Sequence, residues 1–199
     1  PPAVVLDSPA ENSSLPDGPF SVSWTGSDPD GDALTYSLFY SNDGQNWDPL
    51  ATGLTVTKLE LDSRQLAGGT GMLRVVASDG FLSGQDTNSG LVVPLHGPTA
   101  QIVSPEPNAS FYSAQQVVLQ GTAYDLEDGT LGDEAFSWSS SIDGELGTGS
   151  SLSTGELTSG VHVITLTVTD SQGMSTPDQR TIFVGSPGTT ISLPLINRR

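Results

Sequence analysis

Gly160-Val161-His162-Val163-Ile164-Thr165-Leu166-Thr167-Val168-Thr169-Asp170 reads as a β-strand from end to end. His162, Ile164, Leu166 and Val168 take one face. Val161, Val163, Thr165, Thr167 and Thr169 take the other, the period of two expected where one face is covered and one is wet. Working outward, the same alternation returns in Phe20, Val22 and Trp24, in Leu34, Tyr36, Leu38 and Tyr40, and in Leu73, Val75 and Ala77. Val117 and Leu119 repeat it before Gly121. Between these runs stand turn formers: Asn42-Asp43-Gly44, Gly68-Gly69, Asp143-Gly144 and Ser159-Gly160. The stretch 60–67 alone has the makings of a helical turn, and it is too short to count. The fold class is all-β.

An internal repeat divides the chain. Ser8-Pro9 returns as Ser104-Pro105, Gly26 as Gly121, and Ser78-Asp79 as Thr169-Asp170. Asp28-Pro29-Asp30-Gly31-Asp32-Ala33-Leu34 has its counterpart in Asp125-Leu126-Glu127-Asp128-Gly129-Thr130-Leu131. The offsets, about 91–100 residues, match one seven-stranded β-sandwich per half. The expected domains are 1–96 and 97–186, with a tail at 187–199. Pro94-Leu95-His96-Gly97-Pro98 makes a short, stiff join, because two prolines restrict it. The tail, Ile191-Ser192-Leu193-Pro194-Leu195-Ile196 followed by Asn197-Arg198-Arg199, falls outside both repeats and reads as a docked edge strand or a sorting element.

Composition excludes several functions. The 199 residues carry 23 acidic and 6 basic side chains, a net charge of −17. One Lys and five Arg make no basic face for phosphate, so no nucleic acid is expected as a partner. The absence of Cys rules out disulfides and Cys-ligated zinc or iron–sulfur centres. No run approaches the roughly 18 apolar residues of a membrane span, so no membrane insertion is expected. Hydrophobic content of 35% is modest, yet it comes in ordered strands, unlike a disordered chain. The lack of Cys and the Ser- and Thr-rich β composition point to a secreted or cell-surface protein, and the charge favours a monomer. Starting at Pro1-Pro2-Ala3 without Met, the sequence reads as part of a longer polypeptide. A halophilic protein would share the charge balance. Sixteen Asp against seven Glu point instead to loop and metal-ligand carboxylates.

Residues 1–96 resemble a fibronectin type III-like sandwich. The resemblance lies in Phe20-Ser21-Val22-Ser23-Trp24-Thr25 as the second strand and Leu34-Thr35-Tyr36-Ser37-Leu38-Phe39-Tyr40-Ser41 as the third. Leu73-Arg74-Val75-Val76-Ala77-Ser78-Asp79-Gly80 stands as the sixth. Where that family often carries a buried Tyr, this chain has Gly71-Met72. Residues 97–186 resemble a bacterial immunoglobulin-like or PKD-type domain, best over the strand quoted first. The resemblance implies two tandem immunoglobulin-like β-sandwiches of a secreted bacterial protein. It also implies that His162 stands where the family often has Tyr.

Chemistry concentrates in the acidic loops. Asp28, Asp30 and Asp32 alternate within a Pro/Gly loop, so their oxygens can converge on one hard cation such as Ca²⁺. Sandwich topology places the loop after the second strand beside the loop after the sixth. Asp79 is therefore expected near Asp28, Asp30 and Asp32, and Asp170 near Asp125, Glu127 and Asp128. Crowded carboxylates raise one another's pKa or attract a counter-ion. Calcium at the second cluster would stiffen the tandem pair, as in the cadherin-like arrangement it resembles. The same residues also fit plain Asp-Gly and Asp-Pro turns.

Catalysis is not expected. His96 lies in the join and His162 in a strand, neither in an HExxH sequence, and no nucleophile-elbow motif is present. Trp24 and Trp138 occupy core positions. Trp47, within Asp43-Gly44-Gln45-Asn46-Trp47-Asp48, lies beyond a turn and could stack on a sugar. Asn12-Ser13-Ser14 and Asn108-Ala109-Ser110 match the glycosylation sequon, a common chance match. The sequence thus describes a non-catalytic module for adhesion or spacing. Its partners would be other domains of the same polypeptide, a surface protein or a glycan. The alternative is a carbohydrate-binding module of a secreted hydrolase.

Overall fold

A computed structural model describes residues 1–185; the expected tail at 187–199, docked strand or sorting element, lies outside the described residues. The chain divides into two compact units, the first Pro1–His96, the second from Gly97 onward. Unit 1 contains β1 (Ala3–Ser8), β2 (Pro19–Ser27), β3 (Thr35–Ser41), β4 (Asp48–Leu54), β5 (Lys58–Asp62), β6 (Gly69–Ser78) and β7 (Ser83–Val93). Its sheets run β1-β2-β5 and β4-β3-β6-β7. Val22, Trp24, Leu38, Leu73, Val75 and Leu91, all fully or almost fully buried, fill the space between them. These are the inward members of the alternating runs, so binary pattern and burial agree.

Unit 2 contains β8 (Thr99–Ser104), β9 (Ser110–Tyr112), β10 (Val117–Asp125), β11 (Gly129–Thr130), β12 (Phe136–Ser140), β13 (Gly144–Thr148), β14 (Ser151–Thr154), β15 (Gly160–Thr169) and β16 (Ser175–Gly185). β10 pairs with β8 along one edge and with β14 and β11 along the other. The opposing sheet runs β13-β12-β15-β16-β9. Leu119, Trp138, Ile164, Leu166 and Ile182 form the core. Gly121 is needed there, because a Cβ at that position would stand 2.6 Å from Leu166 Cδ2.

Seven strands per half are expected; the described residues of unit 2 form nine. The additions are β9, which runs parallel to β16, and the two-residue β11. Among the described residues helix is confined to two 3-10 turns, Ser63–Gln65 and Asp133–Ala135. The first falls within 60–67; the second was not anticipated.

The first strand of each unit is tied to the opposite sheet by the last. Asp86 Oδ2 on β7 accepts from Leu6 N at 2.8 Å, and Asn88 Nδ2 donates to the carbonyls of Leu6 (3.1 Å) and Pro9 (2.8 Å). In unit 2, Asp178 Oδ2 on β16 accepts from Ile102 N at 2.7 Å. Arg180 there donates to the carbonyls of Ile102 (2.7 Å) and Pro105 (3.1 Å). Each clamp satisfies backbone groups at the open side of a sandwich, where no neighbouring strand supplies a partner. Ser8-Pro9 and Ser104-Pro105 both have cis peptide bonds.

Candidate functional site

The loop after β10 and the turn after β15 meet. Asp128 at the end of the β10–β11 turn accepts from Ser171 N at 2.9 Å and from Ser171 Oγ at 2.8 Å. Those two donors, the backbone N–H foremost, hold the Asp128 carboxyl below the usual carboxylate range. Asp170, the neighbour of Ser171, is therefore brought to this junction. One of its oxygens closes the β15–β16 turn, accepting from Gln172 N (2.9 Å) and Met174 N (2.8 Å). Asp125 does the same for its own turn, with Oδ1 accepting from Glu127 N and Asp128 N, both at 2.9 Å.

Each of these two aspartates is left with an oxygen that its turn does not use. Asp125 is 1% exposed and Asp170 7% exposed, yet Oδ2 of each is buried with no hydrogen-bond donor. Burial drives the Asp125 carboxyl above the usual range, and the Glu127 carboxyl lying against it pushes the same way. A buried carboxylate oxygen without a donor costs free energy unless a proton or a cation meets it. Asp125, Glu127 and Asp170 offer only hard oxygen, the donor type that suits Ca²⁺, but among the described residues the acidic group whose oxygens already converge within 4.8 Å is Asp28, Asp30 and Asp32. Asp128 has both oxygens engaged on Ser171 and acts as the tie between the loops.

In unit 1 the acidic loop also holds one buried oxygen without a donor, Asp28 Oδ2. Ligand oxygens of Asp28, Asp30 and Asp32 lie within 4.8 Å of one another, and only Asp28 is even partly buried. Asp28 Oδ1 accepts from Asp30 N at 2.8 Å, an ordinary Asx turn. Asp79 is outside that convergent group. Its Oδ1 accepts from Phe81 N and Leu82 N, both at 2.7 Å, which lowers its pKa and orders the β6–β7 turn.

Trp47 is half-buried, with the Arg74 guanidinium carbon 3.6 Å from the ring centroid. This cation–π contact covers one face of the ring. Trp24 and Trp138 are core residues, as expected, and Trp138 Nε1 donates to Gly149 O at 2.8 Å.

His162 is fully buried on β15, and its surroundings contain a Ser and an Asp. The arrangement is not that of a nucleophilic triad. Ser140 Oγ (2.8 Å) and Asp143 Oδ2 (3.5 Å) both face Nδ1, whereas a triad has them on opposite nitrogens. Nε2 lies 2.7 Å from Thr158 O, and a carbonyl only accepts, so Nε2 carries the proton. Nδ1 is the nitrogen that meets Ser140 Oγ.

Ser171, Asn88, Arg180 and Thr158 were not singled out from sequence. The one visible signal was the pair Asp86-Thr87-Asn88 and Asp178-Gln179-Arg180, which recurs at the same place in the last strand of each repeat.

With two mainly antiparallel sheets enclosing one core in this way, each unit is an immunoglobulin-like β-sandwich. In unit 1 the fourth strand lies beside the third, the arrangement of fibronectin type III-like modules. No protein-family profile and no curated protein matches the chain. Among solved structures, it is similar to the fibronectin(III)-like modules of Clostridium thermocellum CbhA, at 19% identity over 96% of this chain and 98% of that one (TM-score 0.42). It is also similar to the full ectodomain (Ig1–Ig3) of mouse nectin-like molecule 4, at 16% identity over 96% of this chain and 66% of that one (TM-score 0.44). Human protocadherin-24 EC1-2 aligns at 16% identity over 93% of this chain and 97% of that one (TM-score 0.33). The strand pairing of the chain itself carries the assignment. Among the described residues no helix is long and apolar enough to cross a membrane.

Proposed function

We propose that the chain is a non-catalytic pair of modules, spacing or adhesive, within a secreted or cell-surface protein, and that unit 2 holds a calcium ion through Asp125, Glu127 and Asp170. The observation that supports the ion is the pair of buried, donorless oxygens on Asp125 and Asp170. The ion would supply charge neutralisation, and this chain's residues would do the rest. Asp128 and Ser171 hold the two loops together, while the turns at 125–128 and 170–174 aim the carboxylates. The non-catalytic reading is supported by His162, the buried histidine, being spent on Ser140 and Thr158. Arg74 over Trp47 leaves the carbohydrate alternative without a specific observation in its favour.

Extracellular modules bind calcium near 10⁻⁴–10⁻³ M, so a few millimolar Ca²⁺ would stabilise unit 2 by about 1–2 kcal/mol. A domain of this size then gains roughly 4–16 °C in Tm. Calorimetry of the chain in EDTA and in Ca²⁺ reads this directly. One transition should rise in Ca²⁺, Asp170→Asn should abolish the rise, and Asp30→Asn should leave it. Equal melting in EDTA and Ca²⁺ overturns the calcium reading and leaves a plain spacer.

A further inference from the structure

The β6–β7 turn of unit 1 carries two side chains that its fold does not require. Phe81 is 98% exposed, and Leu82 beside it is 53% exposed. The turn that presents them is tightly held. Asp79 Oδ1 takes both of their amides, Asp79 N donates to Leu82 O at 3.3 Å, and Ser78 Oγ accepts from Gly80 N at 3.1 Å. Gly80, at φ +97°, supplies the left-handed step. Unit 2 closes the corresponding turn with the same device, Asp170 accepting from Gln172 N and Met174 N while its own N–H donates to Met174 O at 3.0 Å. There the tip is Ser171-Gln172-Gly173. Turn geometry therefore has no need of an aromatic, and a ring surrounded by water contributes nothing to folding.

Strand register gathers two more loops at the same end of unit 1. Thr35 pairs with Ser78, and Tyr36 with both Ala77 and Leu54, so the 28–34 loop and the turn at 55–57 open beside the Phe81 tip. The first carries Asp28, Asp30 and Asp32, the last two exposed. The second carries Val56, 53% exposed. None of the three loops holds a Lys or an Arg.

We propose that this loop end is the adhesive surface of the chain, and that it receives a protein whose apolar pocket takes Phe81 and is rimmed by Lys or Arg. The inference rests on the adhesive form of the function proposed above. An aromatic side chain on a turn already fixed loses little backbone entropy when it is buried, which is what a binding anchor needs. The carboxylates beside it, in a chain of net charge −17, draw in a basic partner and turn away nucleic acid and anionic lipid alike. Charge sets the rate of encounter, and the ring sets the lifetime of the complex.

Panning a phage library of random peptides against the full chain tests this, in EDTA so that no cation neutralises the loops. The enriched peptides should combine Lys or Arg with bulky apolar residues. Made as free peptides, they should bind more weakly at about 300 mM than at about 50 mM NaCl, because salt screens exposed charges. Phe81→Ser should weaken them at least about tenfold and leave Tm unchanged, since so exposed a ring packs against almost nothing. Asp30→Asn combined with Asp32→Asn should flatten the salt dependence. Tyr112→Ser, at an exposed position of unit 2, should change neither. Peptides that bind Phe81→Ser as tightly as the parent chain overturn the proposal and move the adhesive function elsewhere on the molecule. Binders without Lys or Arg, or indifferent to salt, overturn the basic partner. A library that yields no binder overturns the proposal together with the adhesive reading and leaves a spacer. Binding to phosphatidylcholine vesicles in EDTA that Phe81→Ser abolishes overturns it in favour of a lipid surface.

Discussion

The two units meet one structural demand from opposite strands. In each, a backbone carbonyl four residues ahead of a β-strand position in the sixth core strand needs a donor: Ala67 O before Gly71, and Thr158 O before His162. In unit 2 the donor comes from that strand itself, His162 Nε2 at 2.7 Å, and the facing residue on β12 is the small Ser140, which bonds Nδ1 at 2.8 Å. In unit 1 the donor crosses over from β3. Tyr40, which occupies the place Ser140 has in unit 2, sends its hydroxyl to Ala67 O. The position matching His162 is Gly71, where a Cβ would stand 2.6 Å from Tyr40 Cε2 and Oη. The fold thus specifies a buried donor and a total volume; which strand supplies them is left free. The missing Tyr of the sixth strand in unit 1 is explained by this exchange.

Transplanting one solution into the other unit puts the comparison at risk and carries the largest expected effect. Tyr40→Ser alone should destabilise unit 1 by about 3–5 kcal/mol, through a cavity and an unpaired carbonyl. Gly71→His alone drives an imidazole into the Tyr40 ring and should cost about 1–3 kcal/mol or more. If the two units are equivalent here, the double variant recovers at least about 1.5 kcal/mol relative to the sum of the singles, read from denaturant melts of the unit 1 transition. Strict additivity would break the equivalence.

The same contrast shows what was legible beforehand. Alternation placed Trp24, Trp138, Ile164 and Leu166 in the cores because side-chain direction along a strand depends only on parity. It placed His162 inside for the same reason. Parity is silent about β9 and β11, which are too short to alternate, and about polar residues at inward positions such as Asn88 and Arg180. The acidic loops were legible as a meeting point of two turns, and the Asp128–Ser171 bonds join them in unit 2. The division of labour inside them was not. Asp28, Asp79, Asp125 and Asp170 each close a turn through one oxygen, and only burial of the second oxygen separates Asp79 from the other three.

A smaller effect sharpens the comparison at the clamps. Asn88 is buried and donates to two carbonyls, while Arg180 is half-buried and does the same work within reach of water. Asn88→Leu should cost unit 1 about 1–3 kcal/mol, because both carbonyls lose their donor in a dry site. Arg180→Met should cost unit 2 less, since water can replace a guanidinium at a half-exposed position. Amide exchange reads the same difference: Leu6 N–H should lose more protection in the first variant than Ile102 N–H loses in the second. Equal losses would mean that burial of the clamp does not set its worth.

The smallest effect concerns charge. Asp125 has a folded-state pKa raised by burial and by Glu127, so the folded state binds its proton more tightly than the unfolded chain does. Its penalty is fully present above the raised pKa and is relieved as pH falls through it toward the ordinary carboxylate value. Asp79, Asp128 and Asp133, whose pKa values are lowered by hydrogen bonds, act in the opposite sense. They stabilise above the ordinary carboxylate range and lose that contribution below it. The two windows do not overlap. In EDTA, unit 2 should therefore gain Tm slightly as pH falls through the raised Asp125 pKa, before acid unfolding begins near the ordinary carboxylate pKa of about 4. Asp125→Asn should remove that gain and raise the EDTA melting temperature at neutral pH, because an amide needs no counter-charge. Unit 1, which has no comparably buried acid among its described residues, should show no such rise. A rise of equal size in both units would assign the effect to net charge and detach it from Asp125.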